Sequence, residues 1–568
     1  MTSTRRWPAH RHIGCTRTVL AALSIILFSA VPALAVMPNC TVAALSALDV
    51  PHMTITSATD VAAAGSTPEY CDVQGSVMTT GGGAQPGSAG FEIKLPATWK
   101  NGFLFFGTGG LAGTLGPSAN PVDIGSSLGQ GYATAVTDTG HVGHSPVPVT
   151  IDGGLGIVTD ASWALKSPGV PDTPKLTDYY FRAVHAVTES AKHLVQAFYK
   201  DRIDRSYFDG CSNGGRMAFV QATRYPNDYD GIIAGAPFLD IRVVIGGTKN
   251  YKQLMTASTY IPSSKLAAVD AAVYTSCDAA DGVHDGLIQN PAVCSFDPDT
   301  LVPGVLTQGQ ADSLKAYFSA TRDRRGGLVY NGASVTDLDS FGGMDLWTTG
   351  IFTPVTPDFT ANEPWGDAGF FPAPISWEFV DHIMKYIVKR DPTFNIRDFD
   401  VSTAGVVGDN ALALFDSRTE AGDGDVPADL LQFIKKGNKL LIYHGYSDPA
   451  LTPFRTITYY RELAELVGGY DKLQESVRLF MVPGMQHCGG GPGPNTFNTL
   501  TPLDNWVRNG DAPNGIIASH PSGRTMPLCK FPEKAHYNGG PVTSAASWSC
   551  TNNQDLLIVG PNGVEAGL

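Results

Sequence analysis

One stretch of about thirty residues limits the fold more than any other part of the chain. Arg205 to Asp209 reads as a strand, Gly210 to Gly214 as a tight turn, Asn213 to Tyr225 as a helix and Gly231 to Ala234 as a second strand. Strand and helix in alternation imply a parallel sheet covered by helices. The same rhythm runs on both sides. Upstream, Gly90 to Leu95, Phe103 to Phe106 and Tyr132 to Val136 read as short strands. Phe181, Val184, Val187, Ala191, Leu194, Val195 and Phe198 mark a helix over Thr177 to Lys200, with Thr177 placed to cap it. Downstream, Lys439 to Tyr443 and Val477 to Val482 are apolar runs suited to buried strands. From Leu239 to Gly424 the alternation is lost, and Thr, Asp, Gly, Pro and aromatics take over. The fold expected is one α/β domain, residues 36–238 and 425–568, interrupted by an insertion at 239–424.

The turn at Gly210-Cys211-Ser212-Asn213-Gly214 fits G-x-S-x-G, a weak signal in a chain of 568 residues with 63 glycines. Gly125-Ser126-Ser127-Leu128-Gly129 fits equally well. Context separates them: Ser212 follows a strand and opens a helix, so its hydroxyl stands above the sheet, whereas Ser127 sits in a loop leading into a strand. The helix start places backbone N–H groups where an oxyanion would form. A serine nucleophile needs a base and the base an orienting acid, in the chain order Ser, Asp or Glu, His, each after a strand. Asp448 follows the Lys439 to Tyr443 strand and His487 follows the Val477 to Val482 strand. Asp504 fails the order. The remaining histidines read mostly as structural or surface residues.

The first 35 residues stand outside the fold argument. Arg5, Arg6, Arg11 and Arg17 precede an apolar run from Val19 to Val31, and Ala33-Leu34-Ala35 supplies a signal-peptidase site. The run is too short for a membrane anchor, which takes ~20 apolar residues. Loss of this leader takes the net charge from −14 to −18, which leaves no basic field for nucleic acid or an anionic membrane. The protein expected is exported, periplasmic or extracellular, with no nucleic-acid partner and no stable membrane association. Eight cysteines remain after Cys15 leaves with the leader: Cys40, Cys71, Cys211, Cys277, Cys294, Cys488, Cys529 and Cys550. An even number in an oxidising compartment points to four disulfides, of a connectivity that counting leaves open. Cys211 directly precedes the candidate nucleophile and Cys488 directly follows the candidate base. A bond between them would tie the two loops together.

Five stretches resemble the tannase and feruloyl esterase family of secreted α/β-hydrolases. They are Tyr207-Phe208-Asp209-Gly210-Cys211-Ser212-Asn213-Gly214-Gly215-Arg216, Tyr225-Pro226, Asp230 to Pro237, His444-Gly445-Tyr446-Ser447-Asp448 and Gly484-Met485-Gln486-His487-Cys488. The resemblance implies an α/β-hydrolase fold with the insertion as a lid domain, a Ser212, Asp448, His487 triad, and a Cys211 to Cys488 bridge. The other bonds would be local: Cys40 with Cys71, Cys277 with Cys294, and Cys529 with Cys550. It implies an oxyanion hole made by the Asn213 amide and one in the loop Gly107-Thr108-Gly109-Gly110, with Gly110 ahead of Gly109. That loop follows the Phe103 to Phe106 strand, where such a loop belongs.

Asp278, Asp281 and Asp285 lie within eight positions, beside Gly282 and Gly286, a composition that suits a hard cation. The resemblance implies a structural calcium held there with the carbonyls of Val283 and Leu287. It also places His444 in the acyl pocket. Trp347, Trp365, Phe370, Phe371 and Trp377 are candidates to cover an aromatic ring, although any one of them also reads as core. No arginine for a substrate carboxylate can be placed. The activity implied is serine-dependent hydrolysis of small aromatic esters, of feruloyl, gallate or synthetic terephthalate type, without an organic cofactor.

Overall fold

In the computed structural model, which describes residues 37, 39–116, 123–143, 158–350, 357–361, 363–365, 373–400 and 411–552, nine strands join in one sheet. In chain order they are β1 (Met53–Val61), β2 (Tyr70–Thr79), β3 (Gly87–Pro96), β4 (Gly102–Phe106), β5 (Tyr132–Thr137), β6 (Arg205–Cys211), β7 (Gly231–Gly235), β8 (Lys439–Gly445) and β9 (Val477–Val482). Across the sheet they run β1-β2-β3-β5-β4-β6-β7-β8-β9. The first three meet their neighbours antiparallel. From β5 onward every contact is parallel. The chain is thus of the α/β class, as the alternation implied. Parallel pairing has a direct consequence for the site: the loops leaving β4, β6, β8 and β9 all emerge on one edge of the sheet.

Burial explains why those strands read as unbroken apolar runs. Every residue of β4, β5, β7 and β9 is buried, and so is all of β6 and β8 after the first residue. Helices cover both faces, which leaves these strands little room for polar side chains and makes their sequences read as continuous apolar runs. Helix α1 (Ala183–Tyr199) buries Val184, Val187, Ala191, Leu194 and Val195 along one stripe, each such aliphatic side chain larger than alanine being worth about 1.5–3 kcal/mol. Its helical path begins earlier than expected, at Thr173, and passes through a π-helical turn at Asp178–Arg182. The cap is Asp172, whose side chain accepts from the Lys175 amide, with Pro174 in the first turn; Thr177 lies within the helix. Helix α2 (Asn213–Arg224) is buried without interruption from Asn213 to Ala222.

Between β7 and β8 no strand among the described residues joins the large sheet. It builds helices α3 (Val243–Leu254) and α4 (Gln308–Phe318) and a small hairpin of Thr321–Arg322 with Leu328–Tyr330. Helix α5 (Pro453–Val467) follows β8. Two regions depart from the sequence reading. The polar N-terminal segment forms β1 and β2, whose half-buried Thr- and Ser-rich alternation hides a sheet edge. Ser127 lies in the helix Ile124–Gln130, its hydroxyl donating to the Asp123 carbonyl, so it stands at no strand-to-helix turn.

All four disulfides join the expected partners: Cys40–Cys71, Cys211–Cys488, Cys277–Cys294 and Cys529–Cys550. The last ties two C-terminal hairpins, Gly515–Ser519 with Thr525–Cys529 and Glu533–Tyr537 with Trp548–Asn552. The leader and its arginines, Phe370 and Phe371 lie outside the described residues. Among the described residues no helix is long and apolar enough to cross a membrane.

Candidate active site

Ser212 sits alone between β6 and α2 with φ 63° and ψ −123°, a conformation that costs an L-residue of order 1–3 kcal/mol. Three contacts hold it there. Its amide donates to Gly235 at 3.0 Å, and its carbonyl accepts from Arg216 at 3.0 Å and Phe238 at 3.1 Å. Glycine makes the turn sterically possible: a Cβ on Gly107 would lie 2.6 Å from the Gly214 Cα, and one on Gly210 would lie 2.5 Å from the Gly214 carbonyl oxygen.

Asp448 and His487 lie beyond the ends of β8 and β9, and the His487 Nδ1 is 2.8 Å from the Asp448 Oδ2. A carboxylate only accepts, so Nδ1 carries the proton and Nε2 is the basic nitrogen. Asp448 is fully buried, and its Oδ1 accepts from the amides of Ala450 and Leu451, each at 2.9 Å. Burial opposes its charge, but His487 and a hydrogen bond from His444 hold the carboxyl well below the usual carboxylate range. The Cys211–Cys488 bond, with Cα atoms 5.9 Å apart, fixes the residue before Ser212 to the residue after His487. Trp347 stands edge-on to the His487 ring at 4.9 Å.

Both loops are gripped by the insertion. Ser447 donates to Asp337 and shares a 2.9 Å contact with Thr336, while the Gln486 side chain donates to the carbonyls of Asp337 at 3.4 Å and Ser340 at 3.3 Å. Asn213 and Arg216 are buried beneath the turn. The Arg216 guanidinium reaches Asn213 Oδ1 at 2.8 Å and the carbonyls of Tyr180, Gly422 and Tyr179 at 3.1, 2.8 and 3.0 Å. It thereby ties the helix that follows Ser212 to the end of the insertion.

Ser212, Asp448, His487, Asn213, Gly109 and Gly110 all line one cavity of ≈ 250 Å³. The structure therefore brings the sequence-assigned triad and oxyanion residues together. His444 is the exception. It is fully buried and does not line the cavity; its Nε2 donates to the Leu451 carbonyl at 3.0 Å and lies 3.2 Å from Asp448 Oδ2, and its Nδ1 is 2.9 Å from Thr456 Oγ1. Its ring nitrogens are thus turned to Leu451, Thr456 and Asp448, where it braces the Asp448 carboxylate. Of the described tryptophans of the insertion named above, Trp347 lines the cavity, whereas Trp365 and Trp377 pack against each other at 4.9 Å.

The family model for tannase and feruloyl esterase matches residues 71–551. The chain belongs to the tannase and feruloyl esterase family. As a member it is a carboxylic ester hydrolase. It is 30% identical to the mono(2-hydroxyethyl) terephthalate hydrolase of Piscinibacter sakaiensis over 547 residues, covering 86% of each chain. It is also 30% identical to a probable feruloyl esterase of Arthroderma benhamiae, over 81% of this chain and 82% of that one. In fold it is similar to feruloyl esterase B from Aspergillus oryzae, with a TM-score of 0.72 and 23% identity over 90% of this chain and 99% of the other. Against the tannin acyl hydrolase from Aspergillus niger the TM-score is 0.66, with 20% identity, over 93% and 97%.

Within this esterase the acidic loop of the insertion is partly self-satisfied. Asp281 accepts from the Val283 amide at 3.0 Å and from Gln289 at 2.9 Å, Asp278 accepts from the Gly286 amide at 3.1 Å, and Asp285 binds Arg524 at 3.0 Å. Among the described residues no three His, Cys, Asp or Glu side chains converge to hold a metal by themselves. Arg524 pairs with Asp285 and Lys534 lies near Asp281, so two cations stand against three carboxylates, whose oxygen donors suit a hard cation. Burial first, then repulsion from Asp281 and Asp278 against the pull of Arg524, pushes Asp285 up to about 6.

Two supporting residues went unread in the sequence. Arg216 stands out as the one charge in the run Gly214 to Val220, a signal that was available. His141 carries no such signal; it stacks on Trp163 at 3.8 Å and reaches the Leu111 carbonyl at 3.0 Å, bracing the glycine-rich loop from behind.

Proposed function

We propose that the protein is an exported serine esterase that cleaves esters of aromatic acids through an acyl-enzyme on Ser212. The observation that carries this reading is the Asp448–His487 hydrogen bond on the same cavity as Ser212, with the Cys211–Cys488 bond locking the two loops. His487 Nε2 takes the Ser212 proton as the oxygen attacks the ester carbonyl, and Asp448 stabilises the imidazolium that results. The amides of Asn213 and of Gly110 or Gly109 receive the oxyanion. The imidazolium then returns its proton to the leaving alcohol, and water, deprotonated by the same nitrogen, releases the acid. Trp347, Tyr317 and Phe238 in the cavity wall favour an aromatic acyl or alcohol group. Four disulfides support an oxidising destination.

A fluorophosphonate should label Ser212, and Ser212→Ala should lower turnover by several orders of magnitude with the fold intact; retention of more than a few per cent would sink the assignment. Methyl ferulate, methyl gallate and a terephthalate monoester separate the substrate classes. The acidic loop would hold a structural calcium through Asp278, Asp281 and Asp285 with the Val283 and Leu287 carbonyls, the ion supplying charge neutralisation and no chemistry. Chelation should then lower the melting temperature, whereas no shift together with no calcium in elemental analysis would refute it.

A further inference from the structure

Three described residues of the cavity wall carry a full or potential charge at neutral pH: Asp448, His487 and Lys249. The first two are committed to each other. Lys249 lies on α3, six residues and about 9 Å along the helix from Val243, which lines the same cavity. Its Nζ donates to the carbonyls of Ala316 at 2.6 Å and Ser319 at 2.7 Å, the open acceptors at the end of α4. An ammonium has three hydrogens, so one is left over. No carboxylate among the described residues pairs with it, and burial alone pulls its pKa down to about 8. A half-charge at a helix C-terminus offsets only part of the cost of burying a cation. The next residue, Asn250, is also on the cavity wall, and its buried Oδ1 has no hydrogen-bond partner among the described residues.

We propose that Lys249 is the recognition point for a carboxylate carried by the ester substrate, so that this enzyme prefers aromatic esters with one free carboxylate over their neutral counterparts. The inference rests on the Ser212 site described under Proposed function and adds the charge of its substrate. A built cavity that keeps an unpaired cation in its wall binds a neutral ester no better for it. A carboxylate supplies the missing counter-charge and takes the third hydrogen. The capping of α4 needs only a donor and would be met by a neutral side chain.

The test uses two substrate pairs in which one carboxyl is either free or methylated, with rates counted for the ester common to both members: monomethyl against dimethyl terephthalate, with the carboxylate on the acid part, and chlorogenate against its methyl ester, with the carboxylate on the alcohol part. Wild-type enzyme should favour the charged member of at least one pair, and the favoured pair tells which part of the substrate meets Lys249. Lys249→Gln, which keeps a donor for the α4 carbonyls, and Lys249→Met should each cut kcat/KM for that charged member by about tenfold to a hundredfold, with its neutral twin changed by less than about threefold. As a measurement independent of turnover, calorimetry with benzene-1,4-dicarboxylate on wild type and Lys249→Gln should show weaker binding to the variant, and equal binding of the neutral diamide. Preference that survives in both variants, equal loss on charged and neutral members, or no charge preference in wild type would overturn the inference. If wild type hydrolyses none of the four esters, the substrate reading fails instead, and the calorimetric comparison still decides the role of Lys249.

Discussion

The side-chain amide of Asn213 donates to the Thr108 carbonyl at 3.0 Å, so the residue next to Ser212 holds the glycine-rich loop with its own side chain. Its Oδ1 is held in turn by the Tyr179 hydroxyl at 3.1 Å and by Arg216 at 2.8 Å. One buried side chain thereby sets the distance between two strand ends, β4 and β6, that carry opposite halves of the proposed oxyanion site.

Asn213→Ala keeps the backbone amide and removes that tether. It also leaves the Tyr179 hydroxyl and one Arg216 N–H without their acceptor. Turnover should fall by about 10–100-fold with little change in KM, because a shift of about 1 Å at an oxyanion donor is felt mainly in the transition state. Steady-state kinetics with a single aromatic ester checks it; a change confined to KM would contradict the role.

His444→Ala should lower kcat although the ring never meets the cavity. Asp448 loses one of the N–H groups around it, and Thr456 loses its partner. A drop of about tenfold or more is expected, partly restored in His444→Gln, which can still donate. Wild-type kcat in the alanine variant would show that the His487 contact and the two loop amides suffice to hold Asp448.

Acid sensitivity should trace to His141. Burial first, against hydrogen bonds to the Leu111 and Thr139 backbones, with Lys175 and Asp160 as charged neighbours of opposite sign, lowers its pKa from 6.5 to about 4. The unfolded chain therefore takes up the proton first. Stability is untouched above pH 6.5 and is lost as the pH falls from 6.5 through 4, by up to about 3 kcal/mol. His141→Gln, which keeps a donor for Leu111, should flatten the decline in melting temperature between pH 7 and pH 4.5.

Asp209 on β6 gives the opposite sign. It is fully buried, neither carboxyl oxygen has a hydrogen-bond partner among the described residues, and burial pushes its pKa well above the ordinary 3.8. The folded protein holds this proton more tightly than the unfolded chain does, so its contribution is intact below pH 3.8 and erodes as the pH rises. Asp209→Asn should therefore raise the melting temperature at pH 7 and leave it nearly unchanged at pH 3.5. A lower melting temperature at pH 7 would mean that the carboxyl has a partner of its own.

The parallel strands were legible because helices on both faces leave each of them one long apolar run, and the meeting of Ser212, Asp448 and His487 on one cavity because parallel strands deliver them in a fixed chain order to one edge. Cys211 and Cys488 were legible for the same reason, being neighbours of residues that had to meet. β1 and β2 were not: an edge pair with one wetter face mixes Thr and Ser into its pattern until the period-two signal fades. The resemblance assigns His444 to the acyl pocket, but its place four residues before Asp448 does not fix which way the ring turns at the strand end, and here it turns to Asp448, Leu451 and Thr456. Arg216, His141 and Lys249 owe their roles to carbonyls far away in sequence, and a carbonyl has no residue code to read.

Asp337 and Ser340 hold the loops of Asp448 and His487 by atoms that belong to the insertion, and Arg216 holds the insertion's far end at Gly422. The segment that walls the pocket is thus also scaffolding for the Asp448–His487 pair beside it. A chimaera that exchanges this insertion for a relative's cannot change the pocket alone: unless the graft brings matching partners for Ser447 and Gln486, it loses the registry of the base along with the old specificity. Drift in substrate choice and drift at positions 447 and 486 should for that reason travel together through the lineage.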